Sequence, residues 1–303
     1  MVSYLSRRLF SFTLVIILTI FAVFLGMGMI RNSEVAQPNY DLVGASQQAW
    51  TDTRFYLERA LQGNFGSVQE QFGTVQVRDI LVESYINSMG LLVVAILGAT
   101  ILGISFGIFA ALTKHKGLIV PLLVITIIGI SAPSFFAGLL LRQGELTYLR
   151  IFGRPLVSVA GFGWDYQHML LPVLVLAARP LAYLTRATFL SMDRIMREDF
   201  IRTAKSKGLS QRHTVNAHAF RNVAIPVFTA IGVSLRFALS TLPVVEFFFL
   251  WPGMGLALLE AINARQAIVV VTLAAAMALT FLAINFLLDV SYRYIDPRLR
   301  GET

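Results

Sequence analysis

The sequence predicts an all-α integral membrane protein with six transmembrane helices. Of its 303 residues, 56% are hydrophobic and only 14% are charged, which leaves too few polar residues to cover a soluble domain of this length. The apolar residues also come in long blocks, as they do in membrane spans. The sequence contains no cysteine, so disulfides, zinc–cysteine sites and iron–sulfur sites are excluded.

The first span is predicted at residues 9–30, an apolar run preceded by Arg7 and Arg8. This run is longer than the apolar region of a secretory signal and no small-residue cleavage site follows it, so we interpret it as a retained helix. Residues 31–83 are polar and predict a loop outside the membrane, with a helix near residues 47–61.

Residues 86–112 predict the second span. Its Gly103 and Gly107 lie on one face of the helix, so we expect another helix to approach closely there. Residues 118–141 predict a third span that is broken near Pro133, because proline removes a backbone donor and bends a helix. Residues 142–167 are interpreted as a second outer loop.

Between the fourth and fifth spans lies a long basic segment, residues 191–222, and before the sixth span lies a mixed segment, residues 246–266. The latter centres on Trp251, Pro252 and Gly253 and cannot cross lipid as a regular helix, so we expect it to re-enter where protein or water surrounds it. Aromatic anchoring at the membrane interface is the alternative interpretation. The fourth, fifth and sixth spans are predicted at residues 168–190, 223–245 and 267–290.

Six spans place both termini on one side of the membrane. The loops predicted on that side contain fourteen Lys and Arg residues, against eight on the opposite side, so the positive-inside rule makes both termini cytoplasmic. The same bias explains the net charge of +8 without a nucleic-acid partner. The chain divides into a tail and first helix (1–30), a periplasmic or extracellular loop region (31–85) and a core domain with five helices (86–303).

The segment 191–222 carries the clearest functional pattern. Its first helix has acidic residues early, at Glu198 and Asp199, and Lys205 and Lys207 late, an order that suits the helix dipole. Glycine is common where a helix ends, and Gly208 occupies that place. Ser210 is suited to cap a second short helix through residues 213–218. The result is a compact knob below the membrane that suits a groove in a cytoplasmic partner; a solvated basic loop that only fixes orientation is the alternative.

This knob resembles the coupling loop of ABC importer permeases, whose signature is Glu-Ala-Ala, three residues, then Gly. Here Arg202-Thr-Ala204 stands in place of Glu-Ala-Ala, and Gly208 matches. The dipeptide/oligopeptide/nickel branch of these binding-protein-dependent permeases is closer still. Sequence motifs of this branch are similar to four stretches of the chain: Asp199-Phe-Ile-Arg-Thr-Ala-Lys-Ser-Lys-Gly-Leu-Ser210, His218-Ala-Phe-Arg-Asn222-Val-Ala-Ile-Pro226, Val245-Glu246 followed by Trp251-Pro-Gly-Met-Gly255, and Asp289-Val-Ser-Tyr-Arg-Tyr-Ile-Asp296-Pro-Arg298.

One departure is the stretch Gly26-Met-Gly-Met-Ile-Arg31, where the family usually has a Pro-Gly-Asp-Pro-like motif. The outer loop after the third span is also short. Both features lie on the solute-facing side, so they bear on the class of solute more than on the mechanism.

The resemblance implies a type I ABC importer permease fold with a cytoplasmic coupling helix, in the cytoplasmic (inner) membrane of a bacterium or archaeon. It implies import of peptides or a related small solute, and a non-catalytic chain that binds no cofactor itself. The partners would be two ATP-binding subunits that use ATP and Mg²⁺, a second homologous permease forming a heterodimer, and an extracytoplasmic solute-binding protein. The residues implied in ATPase coupling are Asp199, Arg202, Thr203, Ala204, Lys205, Lys207, Gly208, Leu209 and Ser210.

Two arginines fall near the middle of predicted spans, Arg179 in the fourth and Arg236 in the fifth. Ionisable residues inside a membrane usually face a cavity or a partner. They either attract a carboxylate or phosphate of the solute, or form a structural pair with Glu246 or with an acid of the second permease. The candidate residues of the translocation path are Pro133, Arg179, Arg236, Glu246, Trp251, Pro252 and Gly253.

An ion-coupled secondary transporter is the alternative function, although the spans contain few carboxylates and no internal repeat is evident. The sequence has no phosphate-binding Gly-x-x-x-x-Gly-Lys-Ser/Thr loop, so ATP would be bound by another chain. It also lacks the motifs of metalloproteases and serine hydrolases. Its histidines match no known metal-site spacing, and we expect no metal site.

Overall fold

The computed structural model describes residues 2–33, 42–70, 73–113, 116–210 and 213–295. The helices in these ranges are α1 (Val2–Ser33), α2 (Leu42–Ala60), α3 (Val77–Leu112), α4 (Lys116–Ser131), α5 (Ser134–Phe152), α6 (Tyr166–Ile195), α7 (Asp199–Ser206), α8 (Phe220–Phe249), α9 (Met254–Asn263) and α10 (Ala267–Ile295). A π-helical turn, Thr214–Ala219, directly precedes α8. Two short strands, β1 (Ser67–Glu70) and β2 (Gly73–Gln76), form an antiparallel hairpin.

The predicted all-α membrane fold is confirmed. Five helices are long and apolar enough to cross a membrane, namely α1, α3, α6, α8 and α10. Helices α4 and α5 pass the same test only as a pair, and they are bent by 113° at the break between them. The six predicted spans therefore match if this bent pair counts as one. The bend lies at Pro133, where the sequence predicted it.

Helix α5 extends further than predicted, because residues 142–152 were expected to belong to a loop. Two of its polar side chains find partners within the protein. The Arg142 guanidinium lies 6.0 Å from the Phe248 ring centre, and the buried Glu145 carboxylate accepts backbone hydrogen bonds from the following loop. The helix ends at Gly153, whose left-handed φ of 70° suits glycine and whose N–H donates to Leu149 O.

The hairpin was not predicted either. It pairs Val68 with Val75, and β2 begins at Gly73, whose φ of 138° is a conformation open to glycine. The sequence analysis assigned this segment to a polar loop. Its strands are only four residues long and lie in a polar region, so neither hydrophobic alternation nor length marks them in the sequence.

Gly103 and Gly107 of α3 pack directly against α6, as the sequence predicted. A Cβ atom added to Gly103 would meet Leu184 Cβ at 2.8 Å, and one added to Gly107 would meet Thr188 Cβ at 2.5 Å. The absence of side chains at both positions thus allows the two backbones to approach closely.

The chain packs as two compact units, residues 1–88 with 252–286 and residues 89–251 with 287–303. The boundaries fall inside α3 and inside α10, so the units do not follow the order of the chain. The three-part division drawn along the sequence at residues 30 and 85 stays a prediction.

The first unit has its core between α1, α2 and α10, where Ile20, Tyr56 and Val271 are buried. The Tyr56 hydroxyl lies 3.0 Å from Thr272 Oγ1. In the same unit, the side chain of Ser88 accepts a hydrogen bond from the backbone N–H of Met254, at 2.7 Å. Because Gly253 has no side chain to cap α9, Ser88 supplies this cap from α3.

The second unit contains the α3–α6–α8 core, with Leu91, Leu184, Ala238 and Phe249 among its buried residues. Helix α6 begins at an N-cap, Asp165, whose side chain accepts from the backbone N–H groups of Gln167 and His168. The His168 ring Nδ1 lies 2.9 Å from Asp165 Oδ2, and this hydrogen bond lowers the pKa of Asp165 below its usual value. All the candidate residues except Pro252 and Gly253 lie in this unit.

Candidate functional site

The predicted knob is formed by α7 and the turn that follows it. Asp199 occupies the first turn of α7, where a negative charge suits the helix dipole. The helix ends at Ser206, and Gly208, two residues further on, adopts a left-handed φ of 78° in the turn that follows. Around it, Lys207 N–H donates to Thr203 O at 3.1 Å and Leu209 N–H donates to Ala204 O at 3.3 Å. This pattern satisfies carbonyls that would otherwise be left open at the helix end.

One side of the knob is buried. Ile201 is fully buried and Ala204 nearly so. Ile201 joins a cluster that contains Met192 of α6, Val215 of the π-helical turn and Val223 of α8. Helix α7 therefore packs through apolar contacts against the ends of two long helices.

The opposite side of the knob is exposed. The ring of Phe200 is 44% exposed and Leu209 is 36% exposed, which leaves apolar surface among charged groups. Arg202 lies 3.4 Å from Asp199 in an exposed ion pair. The other exposed coupling candidates are Thr203, Lys207, Gly208 and Ser210. The side chain of Lys205 lies outside the described part of the chain.

Ser210 caps the next segment as predicted. Its side-chain oxygen accepts from the backbone N–H of His213 at 3.3 Å, and its carbonyl accepts from Thr214 N–H at 2.9 Å. The segment is a π-helical turn that continues into α8, however, and not a separate short helix. No glycine or proline interrupts the backbone there, and Phe220 N–H donates to Val215 O, five residues back. Such turns are frequent at functional sites.

Arg179 and Arg236 lie where α6 and α8 pack together. Arg179 is exposed, and its guanidinium carbon lies 4.1 Å from the Phe237 ring centre, which is a close cation–π contact. Arg236 is half-buried, and its Nη2 lies 3.7 Å from Asp289 Oδ1 of α10. A charge at the centre of a membrane helix costs about 2.5–3.5 kcal/mol on insertion scales, so both contacts offset part of that cost.

The sequence did not single out Asp289 as the acid beside Arg236. Gly232 brings α10 close to α8, because a Cβ added there would contact Leu288 and Tyr292. The Tyr292 hydroxyl also donates to Thr229 O at 3.3 Å. This packing places Asp289 beside Arg236 although the two residues are distant in the chain.

Arg186 is a third arginine that the sequence reading missed. It lies inside α6, seven residues after Arg179, and is exposed. Seven residues are about two helical turns, so the two arginines share one face. The signal was present in the sequence, since Arg186 falls inside the fourth predicted span as Arg179 does.

The segment after α8 begins with Leu250 in the left-handed conformation, at a φ of 53°. Trp251 follows and is fully buried. Its ring makes edge-to-face contacts with Phe162, at 5.0 Å between ring centres, and with Trp164, at 5.4 Å. Glu246, one turn before the end of α8, is also fully buried. These two candidates therefore shape the interior of their unit.

Two of the remaining path candidates belong to the other unit. The Pro252 carbonyl accepts a hydrogen bond from Asn87 Nδ2 at 3.0 Å, and Gly253 is the extended, buried residue before α9. Pro133 is exposed and starts α5 at the 113° bend. Within the described ranges, no group of three or more His, Asp or Glu side chains is placed to hold a metal ion.

The part of the chain that matches a known family includes both the knob and the arginines Arg179, Arg186 and Arg236. Residues 103–301 match the family model described as "Binding-protein-dependent transport system inner membrane component". The chain is similar to the glutathione transport system permease protein GsiC of Escherichia coli strain K12 and of Shigella dysenteriae serotype 1, at 30% identity over 313 residues that cover 99% of each chain. GsiC of Salmonella choleraesuis is 29% identical with the same coverage.

Proposed function

Because the chain belongs to the family of inner membrane components of binding-protein-dependent transport systems, we propose that it is the permease subunit of an ATP-driven importer of peptide-like solutes. The observation that carries the proposal is the full-length similarity to a permease named for glutathione, which is itself a tripeptide. The membrane-spanning helices supply the scaffold that such a role requires.

The transporter has further subunits in this proposal. Two ATP-binding subunits bind ATP and Mg²⁺, a second homologous permease completes the path as a heterodimer, and an extracytoplasmic protein delivers the solute. The family description, which refers to a binding protein and a transport system, supports this assembly. The chain binds no cofactor itself, and its termini face the cytoplasm together with the knob, in accord with its fourteen basic residues on that side.

The knob transmits the closure of the ATP-binding subunits. Its exposed apolar residues, Phe200 and Leu209, enter a groove on the ATP-binding subunit, and the neighbouring charges set the orientation. Its buried residue Ile201 fixes it to α6 and α8, and Ala204 is buried as well. Movement of the knob therefore moves both helices as one packed body, which is the kind of rigid switching that alternates access.

The path runs along α6 and α8. These are the least apolar of the five long helices, and they carry Arg179 and Arg236. Pro133 sets the bend that lets α4 and α5 leave room beside the path. Glu246, Trp251, Pro252 and Gly253 support its outer end, where the backbone departs from regular helix.

The proposal is tested by isolating the complex through a C-terminal tag on this chain and identifying the copurified proteins. We expect an ATP-binding subunit and a second permease. After reconstitution in vesicles, uptake of a labelled tripeptide is expected to require the binding protein and enclosed ATP, and to be insensitive to a protonophore. Uptake that needs no ATP and stops with the protonophore would replace this proposal with an ion-coupled secondary transporter.

A further inference from the structure

Two exposed arginines lie on one face of α6. Arg179 and Arg186 are separated by seven residues, so their Cα atoms lie about 10 Å apart along the helix axis and about 20° apart around it. Tyr183 lies between them on the same face and is half-buried. Both arginines belong to the part of α6 that is long and apolar enough to cross the membrane.

Helix α8 extends this face. Its Phe237 ring lies beneath the Arg179 guanidinium and meets the Tyr183 ring edge-to-face at 6.2 Å, so the two helix surfaces are continuous. One turn along α8 from Arg236, Ser240 is exposed and donates its hydroxyl hydrogen to Arg236 O at 3.0 Å. We name this surface, formed by Arg179, Tyr183, Arg186, Arg236 and Ser240, the arginine face.

The charges on the arginine face are only partly balanced. Arg236 has Asp289 beside it at 3.7 Å. Among the residues that the structure describes, neither Arg179 nor Arg186 has a carboxylate oxygen within the 4.0 Å of an ion pair. Two positive charges thus remain, and a surface of this kind does not suit lipid chains. It suits water and an anion.

We propose that Arg179 and Arg186 bind carboxylate groups of the solute in transit, so that the transporter favours small peptides that carry net negative charge. This inference rests on the proposed function. A guanidinium binds a carboxylate through two parallel hydrogen bonds. The Phe237 ring holds the Arg179 guanidinium beside α8 through a cation–π contact. An extended chain of three residues spans about 10 Å, which is comparable to the distance between the two arginine Cα atoms along the helix axis.

Arg236 has a different part in this arrangement. Its pair with Asp289 leaves little net charge, and its buried Nε has no hydrogen-bond partner among the described residues. It positions the adjoining surface of α8, and the solute carboxylates go to the two arginines of α6.

The first test measures the local potential and needs no knowledge of the solute. Because the chain has no cysteine, Ser240→Cys places a single thiol on the arginine face. In the assembled transporter, its rate of modification is compared between an anionic and a cationic methanethiosulfonate reagent, and labelling of this chain is followed by mass spectrometry. We expect the anionic reagent to react faster than the cationic one. The double variant Arg179→Gln, Arg186→Gln should lower the ratio of the anionic to the cationic rate about tenfold.

Lysine at both positions should keep the ratio, and Arg194→Gln, an exposed arginine at the end of α6, serves as the matched control. A thiol that reacts with neither reagent in the assembled transporter would overturn the inference, because the arginine face would then be covered by lipid or by the second permease. A ratio unchanged by the two glutamines would overturn it equally.

The second test measures the selectivity of uptake between two tripeptides, with the binding protein saturated by the peptide under test. Uptake of Glu-Ala-Glu is compared with uptake of Ala-Ala-Ala, and the double glutamine variant is expected to lose about tenfold more of the former. An equal loss of both peptides would assign the arginines a structural role and overturn the inference. If the unmodified transporter imports neither peptide, the proposed function fails and the peptide preference fails with it, and the thiol reactivity then tests only whether the arginine face attracts anions.

Discussion

Gly107 of α3 lies directly against Thr188 of α6. A Cβ atom built on this glycine would come within 2.7 Å of the Thr185 carbonyl oxygen and 2.5 Å of Thr188 Cβ. Real Cβ atoms do not approach backbone this closely, so the helices would have to separate. The contact lies inside the second unit, where α3 and α6 pack together.

We expect Gly107→Ala to lower the stability of the folded chain by about 1–3 kcal/mol, the usual cost of overpacking a close contact. The matched control is Gly98→Ala in the same helix, where no atom lies within 4 Å of the added methyl group. The control should be neutral or slightly stabilising, because alanine favours helix over glycine. Thermal unfolding of the two variants in the same detergent measures the difference, and equal melting temperatures would contradict the close packing.

The pair of Arg236 and Asp289 gives a second prediction. Replacing either residue by one with a neutral amide side chain leaves the other charge within the membrane-spanning part of the chain, so Arg236→Gln and Asp289→Asn should each destabilise the protein. The double variant should be less destabilised than the sum of the two. Since both side chains are partly exposed, at 38% and 28%, the coupling should not exceed about 1 kcal/mol. A double-mutant cycle on thermal stability measures it, and strict additivity would show that the two charges do not interact.

Long apolar runs were sufficient to predict the membrane helices, because length and hydropathy alone decide which segments can span a bilayer. The knob was also predictable, since Asp199 marks the start of its helix and Gly208 marks the turn after it by simple local rules. The continuation of α5 was not predictable. Its polar residues suggest a loop unless one knows that Glu145 receives two backbone N–H groups.

The partners of the intramembrane charges could not be predicted from the sequence either, because they too depend on tertiary contacts. Asp289 reaches Arg236 only because Gly232 admits α10, and such a contact depends on tertiary packing. The 113° bend at Pro133 was predictable in place but not in size, because a proline permits a range of bends and the surrounding contacts select one.

Glu145 provides a third prediction. Its Oε1 accepts hydrogen bonds from the backbone N–H groups of Leu156, at 2.7 Å, and Val157, at 3.1 Å, and the side chain is buried. Glu145→Leu leaves both donors without this acceptor and should cost about 1–3 kcal/mol. Glu145→Gln retains a carbonyl oxygen and should cost less. Hydrogen exchange at residues 156 and 157 checks the mechanism directly, and unchanged protection in Glu145→Leu would contradict it.

The knob supplies the last prediction through two adjacent residues with opposite environments. Phe200 is 44% exposed, whereas Ile201 is fully buried. We expect Phe200→Ala to leave the melting temperature unchanged and to weaken binding of the ATP-binding subunit, because it removes apolar surface from the proposed docking side. Ile201→Ala should lower the stability by about 2–5 kcal/mol through a cavity in the cluster beneath. Thermal unfolding and copurification, measured on the same preparations, separate the two effects. A Phe200→Ala variant that retains its ATP-binding subunit and imports solute at the normal rate would remove the knob from the coupling mechanism. A loss of binding at constant stability would identify its exposed side as the surface through which the ATP-binding subunit moves α6 and α8.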